Sequence, residues 1–586
     1  MGLIKRLSKC VREYKKSAIL SPIFISFEVI FDILIPFVMT YLLSKGIAEG
    51  NLKAIFLYGG VLLLMALVAL CFGSLSGIEC AKASCGFAKN LRKDMYYKVQ
   101  EYSFSNIDKF SPSSIVTRMT TDVNFVQNAF QMIIRIAARC PLMLIFGLIM
   151  TAVIGGPLAL TYVAIVPVML IGLYFIFKGA HKVFKKLFKR YDSLNRVVEE
   201  NIRGMRVVKS NVREDFETQK FEATSETIFK EFSKAQKIIS LNNPLMQLSM
   251  YACIVILSFF ASKLIISTNA TAFTTEQLTT IITYTTQILM NLMMLSMVFA
   301  TITMARASAE RICEVLGEES DIKSPENPCM SVESGEVEFR NVNFAYNKTD
   351  GKECLTGVNL KIRSGETVGI IGGTGSGKTT FVQLIPRLYD ATDGRVLVGG
   401  KNVKEYDLTA LRKQVAMVLQ KNVLFSGTIR ENLLWGNPDA TDEQIDEALK
   451  LACAYDFVHG FEKGLDTQIE QGGTNVSGGQ KQRLCIARAI LANPKVLILD
   501  DSTSAVDMNT DQKIRKAFRE MIPSTTKIII AQRVASVMDA DKIIVMDGGK
   551  IIDIGTHEQL IKSCGIYSEV YNSQVGGGDF DESGNA

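Results

Sequence analysis

The chain has twelve cysteines but no C-x-x-C pair and no zinc-type spacing, which argues against dithiol redox chemistry and a thiolate metal site. The nearest two, Cys80 and Cys85, read as separate reduced thiols, in keeping with a cytosolic face and a membrane. An excess of charge of one sign is lacking as well. A net charge of +6 over 586 residues gives no reason to expect nucleic acid as a partner. What positive charge there is collects beside apolar segments, where anionic lipid head groups account for it. The opening Met1-Gly-Leu-Ile-Lys-Arg-Leu7 lacks a short apolar region followed by a small-residue cleavage site, so no cleaved signal peptide is expected. Apolar residues are abundant: 48% of the chain is hydrophobic, with a mean hydropathy of +0.19. They are unevenly placed, which divides the chain into a membrane half and a soluble half.

About 20 apolar residues cross a bilayer as a helix. Six stretches qualify, near Ala18–Leu43, Ala54–Ile78, Met132–Ile154, Leu158–Phe177, Leu245–Ile266 and Thr279–Met304. The fourth is the cleanest and the first the least pure, carrying Glu28, Asp32 and Pro36. Three of the connecting loops are short and nearly free of Lys and Arg. The other two, near Cys80–Gln131 and Lys178–Pro244, are long and basic, as at Lys182, Lys185, Lys186, Lys189 and Arg190. The positive-inside rule places these long loops and both termini in the cytoplasm of a multi-pass cell-membrane protein. The long loops lack Gly/Pro clusters and keep a helical period (Phe188, Tyr191, Leu194, Val198), so they extend the membrane helices. Breaks at Ser105–Ser114 and Arg203–Arg206 turn the chain at the bottom of helical hairpins.

Charge inside a bilayer is costly and marks candidate functional residues. Glu28 and Asp32 share one face of the first span, and Arg135 and Arg139 form a matching basic pair in the third. Either the two pairs neutralise each other structurally or they meet a substrate; both readings stand on sequence alone. The sixth span carries Met290, Met293, Met294, Met297 and Met304, a face suited either to core packing or to varied apolar ligands. Met290, Met294 and Met297 are the substrate candidates there.

Residues 1–310 thus form the membrane domain. A linker poor in apolar residues follows at 311–334, then an α/β domain at 335–575 and a Gly- and Asp-rich tail at 576–586 that reads as disordered. The α/β domain is built around Val368–Thr380, an apolar run leading into Gly372-Gly-Thr374-Gly375-Ser376-Gly377-Lys378-Thr379-Thr380. This fits G-x-x-x-x-G-K-[ST], a pattern expected by chance about 0.02 times in a chain of this length. Glycines let backbone N–H groups face phosphate oxygens, Lys378 reaches the β- and γ-phosphates, and the Thr379 hydroxyl joins a Mg²⁺ shell. Val496–Asp500 is an apolar strand ending in the acid that holds Mg²⁺ in such enzymes. Ser477-Gly478-Gly479-Gln480 opens a helix with small residues, a second anion cradle. Tyr346 is placed to stack on adenine, and Gln420 to contact Mg²⁺ or water.

The order Tyr346, phosphate loop, Gln420, Ser477–Gln480, Asp500, Ser504-Ala-Val-Asp507 and Asp541-Lys-Ile-Ile resembles the nucleotide-binding domain of ABC transporters. The membrane half is similar to the six-span domain of ABC exporters, with Phe110…Arg118-Met-Thr-Thr-Asp122 and Glu200–Lys209 matching the family's cytoplasmic-loop patterns. The resemblance covers nearly the whole chain. It implies the type IV exporter architecture, a six-span helical domain followed by a P-loop ATPase. It also implies two half-transporters that exchange helices, and two ATP molecules with Mg²⁺ between the ATPase domains. Each ATP would lie between one chain's phosphate loop and the other chain's Ser-Gly-Gly-Gln, with Asp507 nearby.

Two positions depart from the family pattern. Asp501 stands where the general base is Glu, and its carboxylate is one methylene, about 1.5 Å, short of the attacking water. A displacement of about 1 Å can cost on the order of 100-fold in rate. Gln532 replaces the His that contacts the γ-phosphate, and none of His181, His459 or His557 stands at that position. The pattern resembles the degenerate-site subunit of bacterial heterodimeric multidrug exporters. It implies slow hydrolysis at this chain's own phosphate loop and a partner half-transporter whose hydrolytic site this chain completes. Hydrophobic or amphipathic compounds are the expected cargo. Peptide or lipid export, and a gating subunit without hydrolysis, are the alternatives.

Overall fold

The computed structural model describes residues 2–269, 271, 273–346, 353–502 and 505–575. Side chains at 163, 177, 180–182, 184–193, 195, 196 and 575 lie outside the description. The predicted tail, Ser504, and the side chains of His181, Lys182, Lys185, Lys186, Phe188, Lys189, Arg190 and Tyr191 are therefore not described.

The chain divides into two compact units, Met1–Gln100 with Ser111–Glu318, and Glu101–Phe110 with Glu319–Ala586. The first is helical. Its principal helices are α1 (Lys15–Tyr41), α2 (Leu52–Gln100), α4 (Val123–Gly155), α5 (Leu160–Arg203), α6 (Met205–Ser210), α7 (Glu214–Ser240), α8 (Asn242–Ser267) and α9 (Thr275–Gly317); α3 (Phe104–Phe110) belongs to the second unit. Among the described residues, five helical stretches are long and apolar enough to cross a membrane. The expected fourth span lies in α5, where the described apolar stretch is the shorter Ala164–Ile176. α5 runs on unbroken to Arg203, as the helical period of the long loop predicts. α9 continues to Gly317, past the boundary placed at 310.

α1 packs on α2, α4 on α9, and α5 on α7. Pro36 cannot donate into α1, and beside it the Tyr284 hydroxyl donates to the Ile33 carbonyl at 2.6 Å.

Among its described residues the second unit has twelve strands: β1 (Val337–Phe344), β2 (Leu355–Ile362), β3 (Thr367–Gly372), β4 (Asp393–Val398), β5 (Lys401–Asn402), β6 (Val415–Val418), β7 (Gly427–Thr428), β8 (Gln468–Ile469), β9 (Val496–Asp500), β10 (Thr526–Ile530), β11 (Lys542–Asp547) and β12 (Lys550–Gly555). An antiparallel sheet has the order β2-β1-β4-β5, and the larger sheet the order β12-β11-β3-β10-β9-β6. In the larger sheet β11, β3, β10, β9 and β6 run parallel. β9 and β10 are buried along their whole length. That explains the apolar runs Val496–Leu499 and Ile528–Ile530, since a parallel strand covered on both faces does not alternate. In open α/β sheets ligands sit beyond the carboxyl ends of the strands. Here β3 ends in the phosphate loop and β9 in Asp500-Asp501. Gln532 lies just beyond β10 and Gln420 just beyond β6, so four adjacent strands deliver the site residues to one edge.

Candidate nucleotide site and membrane charge cluster

Between β3 and α10 (Lys378–Gln383) the loop turns on Gly375 (φ 82°) and Gly377 (φ 93°), both in the left-handed region that glycine adopts without strain. A Cβ at Gly377 would also lie 2.9 Å from the Cys354 carbonyl oxygen. Lys378 folds over the loop and donates from Nζ to the Gly372 and Gly373 carbonyls, each at 2.8 Å. Burial pulls its pKa down, against the opposing pull of Asp501 and Asp500.

The Thr379 hydroxyl donates to Asp500 Oδ1 at 3.1 Å. Asp500 is 1% exposed, and its Oδ2 is buried without a hydrogen-bond partner. Burial pushes its carboxyl above the ordinary range, the Thr379 hydroxyl and Lys378 opposing. A buried orphan oxygen is costly by itself. Beside a threonine hydroxyl and a phosphate loop, it is the donor set a hard divalent cation such as Mg²⁺ takes. The residues fit the ion.

Asp501 follows with a positive φ of 48°, its N–H donating to the Ile530 carbonyl at 3.1 Å. Gln532 Nε2 donates to Asp501 Oδ2 at 2.8 Å. The two residues that depart from the family pattern therefore touch. Burial raises the Asp501 pKa, and hydrogen bonds from Gln420 and Gln532 hold it back. Gln420 itself lies two residues past the end of β6 rather than closing the strand.

Ser477 caps α11 (Gly478–Leu491) in a reciprocal box, with Gln480 N–H donating to Ser477 Oγ at 3.3 Å and Ser477 N–H to Gln480 Oε1 at 2.9 Å. Gly478 and Gly479 keep this turn bare; a Cβ on Gly479 would lie 3.0 Å from the Ala505 carbonyl. Asp507 caps α12 (Met508–Met521), accepting from Thr510 N–H at 2.9 Å, and that bond holds its carboxyl below the ordinary range. Sequence reasoning assigned Gln480 and Asp507 to nucleotide; the structure adds a capping role to each.

Tyr346 lies half-exposed, its hydroxyl 3.0 Å from Thr380 Oγ1. Its ring meets Tyr389 edge-on at 5.1 Å and 89°. Tyr389, which sequence reasoning missed, donates from its hydroxyl to Asp108 Oδ2 of α3 at 2.7 Å, and Phe104 of the same helix meets its ring. The first loop break is thereby seated on the ATPase fold, one aromatic ring away from the adenine candidate. Its only sequence signal is an aromatic soon after the phosphate-loop helix. The second break, Arg203–Arg206, separates α5 from α6, where Ile202 and Val207 stand exposed.

In the helical unit, Arg139 binds both acids of α1: its guanidinium pairs with Glu28 Oε1, and its Nη2 lies 2.6 Å from Asp32 Oδ2. Arg139 thus makes the ion pair that the structural alternative expects, with both acids at once. Arg135 does not join the pairing. It lines a cavity of about 520 Å³ with Glu28, Asp32, Gly73, Ser74 and Gly77. Met290, Met294 and Met297 are 58%, 51% and 62% exposed, so this face of α9 is not core within the chain.

Together, a helical membrane unit and a P-loop ATPase with a capped Ser-Gly-Gly-Gln helix define an ATP-driven transporter. The family profile "ABC transporter transmembrane region" matches residues 18–293, and the profile "ABC transporter" matches residues 355–504. The uncharacterized ABC transporter ATP-binding protein YfiB of Bacillus subtilis is 33% identical over 549 residues, covering 94% of this chain and 95% of that one. The uncharacterized ABC transporter ATP-binding protein Rv1273c of Mycobacterium tuberculosis is 33% identical over 588 residues, with 98% of each covered. A solved structure described as a bacterial Atm1-family ABC exporter with ATP bound superposes with a TM-score of 0.81, covering 96% of this chain and 98% of that one, at 23% identity. The chain belongs to the ABC transporter family and has the half-size exporter fold. Its ATPase domain is one that binds ATP, normally with Mg²⁺.

Proposed function

We propose that this chain is the degenerate-site half of a heterodimeric exporter in the cell membrane, with its ATPase domain in the cytoplasm. It binds ATP and Mg²⁺ at its own phosphate loop and hydrolyses slowly there. Its Ser477–Gln480 element completes the faster site on a partner half-transporter, and amphipathic compounds leave the cytoplasm between the two membrane domains. The observation that carries this reading is the 2.8 Å bond from Gln532 to Asp501. A shortened carboxylate with an amide on one oxygen is poorly placed to orient an attacking water, and a neutral glutamine cannot supply the charge of a protonated histidine to the γ-phosphate.

In this reading Thr379, Asp500 and Gln420 would hold Mg²⁺, which would supply positive charge to offset that of the phosphates. Lys378 leaves the Gly372 and Gly373 carbonyls to meet the phosphates, and the backbone from Thr374 to Thr380 cradles them. Tyr346 stacks on the adenine. Because this site turns over slowly, it stays occupied and holds the ATPase domains together while the partner site cycles. The test is nucleotide occupancy by photolabelling with azido-ATP during turnover of the assembled complex. Labelled triphosphate should persist on this chain while the partner accumulates diphosphate. Equal diphosphate on both chains would contradict the division of labour.

A further inference from the structure

The cavity on α1, α2 and α4 carries a charge pattern that the ion pairing does not cancel locally. One guanidinium, Arg139, takes one oxygen from each of two acids, so the cluster of Glu28, Asp32 and Arg139 keeps one negative charge. Glu28 Oε2 is left buried without a partner, against Gly73. The balancing charge is Arg135, one helical turn away on α4, which has no ion pair among the described residues and lies over Gly77 of α2. Gly73 and Gly77, also one turn apart, form a trough that admits the acid at one level and the guanidinium at the next. A Cβ at Gly73 would fall 2.8 Å from Glu28 Oε2 and displace the acid, while one at Gly77 would rest in ordinary contact with the guanidinium at 3.6 Å. The remaining wall, Ile35, Ala66, Ala69 and Leu70, is apolar.

The order of these groups has a direction. From Gly77 to Ala66 α2 rises about 16 Å, and the positive-inside orientation puts Gly77 and Arg135 at the cytoplasmic end. Moving outward, the cavity presents positive charge, then negative charge, then apolar wall. Unpaired charge at this depth is costly and is kept where a ligand meets it.

We infer that this cavity is a binding site for zwitterionic amphiphiles whose ammonium lies next to the apolar tail and whose anion is terminal. The anion sits on Arg135, the ammonium against Glu28 and Asp32, and the tail along Ile35 and Leu70. A head group with the charges reversed, as in phosphocholine lipids, opposes like charges at both levels. The inference names the substrate class of the export reading and rests on it.

The test uses the full chain in phosphatidylcholine nanodiscs without nucleotide or partner, so its outcome is independent of the degenerate-site account. Octyl sulfobetaine, with ammonium inside and sulfonate outside, is titrated against octyl phosphocholine at submicellar concentrations, and the melting midpoint is followed. The sulfobetaine is expected to bind about tenfold or more tightly, with Arg135→Gln and Asp32→Asn each removing that preference. Should either variant fail to fold, the comparison of the two probes on the unaltered chain still decides. Equal binding of both probes overturns the inference, as does a sulfobetaine preference that survives both substitutions. Stronger binding of octyltrimethylammonium than of the sulfobetaine would also overturn it, by making the site a plain cation site.

Discussion

Two pairs of acids, one in each unit, are handled in opposite ways. In the membrane unit Glu28 and Asp32 share Arg139, a permanent cation supplied by the protein itself. At the end of β9, Asp500 and Asp501 meet a threonine hydroxyl and two amides, with Lys378 turned toward its own loop. The first pair shares one guanidinium between two acids, so the fold itself compensates it in part, with Glu28 Oε2 left without a partner. The second leaves Asp500 Oδ2 orphaned, so its compensation has to arrive with a ligand. The acids of the first pair are tied by the fold's own guanidinium, those of the second by a hydroxyl and amides that carry no charge.

The largest way to break this comparison is Arg139→Ala, which strands two partly buried acids and is expected to cost about 3–5 kcal/mol in thermal unfolding of the nanodisc-embedded chain. The triple change Glu28→Gln, Asp32→Asn, Arg139→Met removes all three charges and should come out close to neutral. Next, Asp501→Glu with Gln532→His should raise hydrolysis at this site by on the order of 100-fold. This would be read in a complex whose partner has lost its own base. Asp500→Asn should weaken Mg²⁺-dependent ATP binding by roughly 10–100-fold, a range set by losses at other metal sites, while Mg²⁺-free binding changes little; titration calorimetry with and without the ion separates the two.

A smaller effect is expected from Tyr389→Phe, which loses the bond to Asp108, about 0.5–1.5 kcal/mol. It should lower transport per ATP more than ATPase itself. The subtlest is a pH slope. Burial raises the folded-state pKa of Asp500 above its ordinary 3.8, so the folded chain binds this proton more readily than the unfolded one. Without nucleotide, stability is therefore lost as pH rises from 3.8 through the folded value. Asp500→Asn should flatten that slope, and so should saturating Mg²⁺-ATP.

The nucleotide site was legible because its chemistry is local. Gly372–Thr380 is a contiguous loop, and Asp500, Gln420 and Gln532 each follow an apolar strand whose end is readable from hydropathy. What could not be read is register between elements. The sequence places Glu28 with Asp32 and Arg135 with Arg139 on matching helical faces, yet only packing decides that Arg139 spans both acids and Arg135 does not. Gly73 and Gly77 look like ordinary small residues until Glu28 and Arg135 are seen against them. Tyr389 carries no motif, since its role comes from a helix far away in sequence. The methionines of α9 read as core or as a face for apolar ligands, because helical spacing specifies a face and not what covers it.

A degenerate site of this kind requires a different half-transporter beside this chain. The direct measurement is the mass of the intact complex after a tagged pull-down from native membranes. The expected result is one copy of this chain with one second half-transporter that carries Glu and His at the positions of Asp501 and Gln532. A complex of two copies of this chain would contradict it, because both sites would then hold the same shortened acid and the same amide.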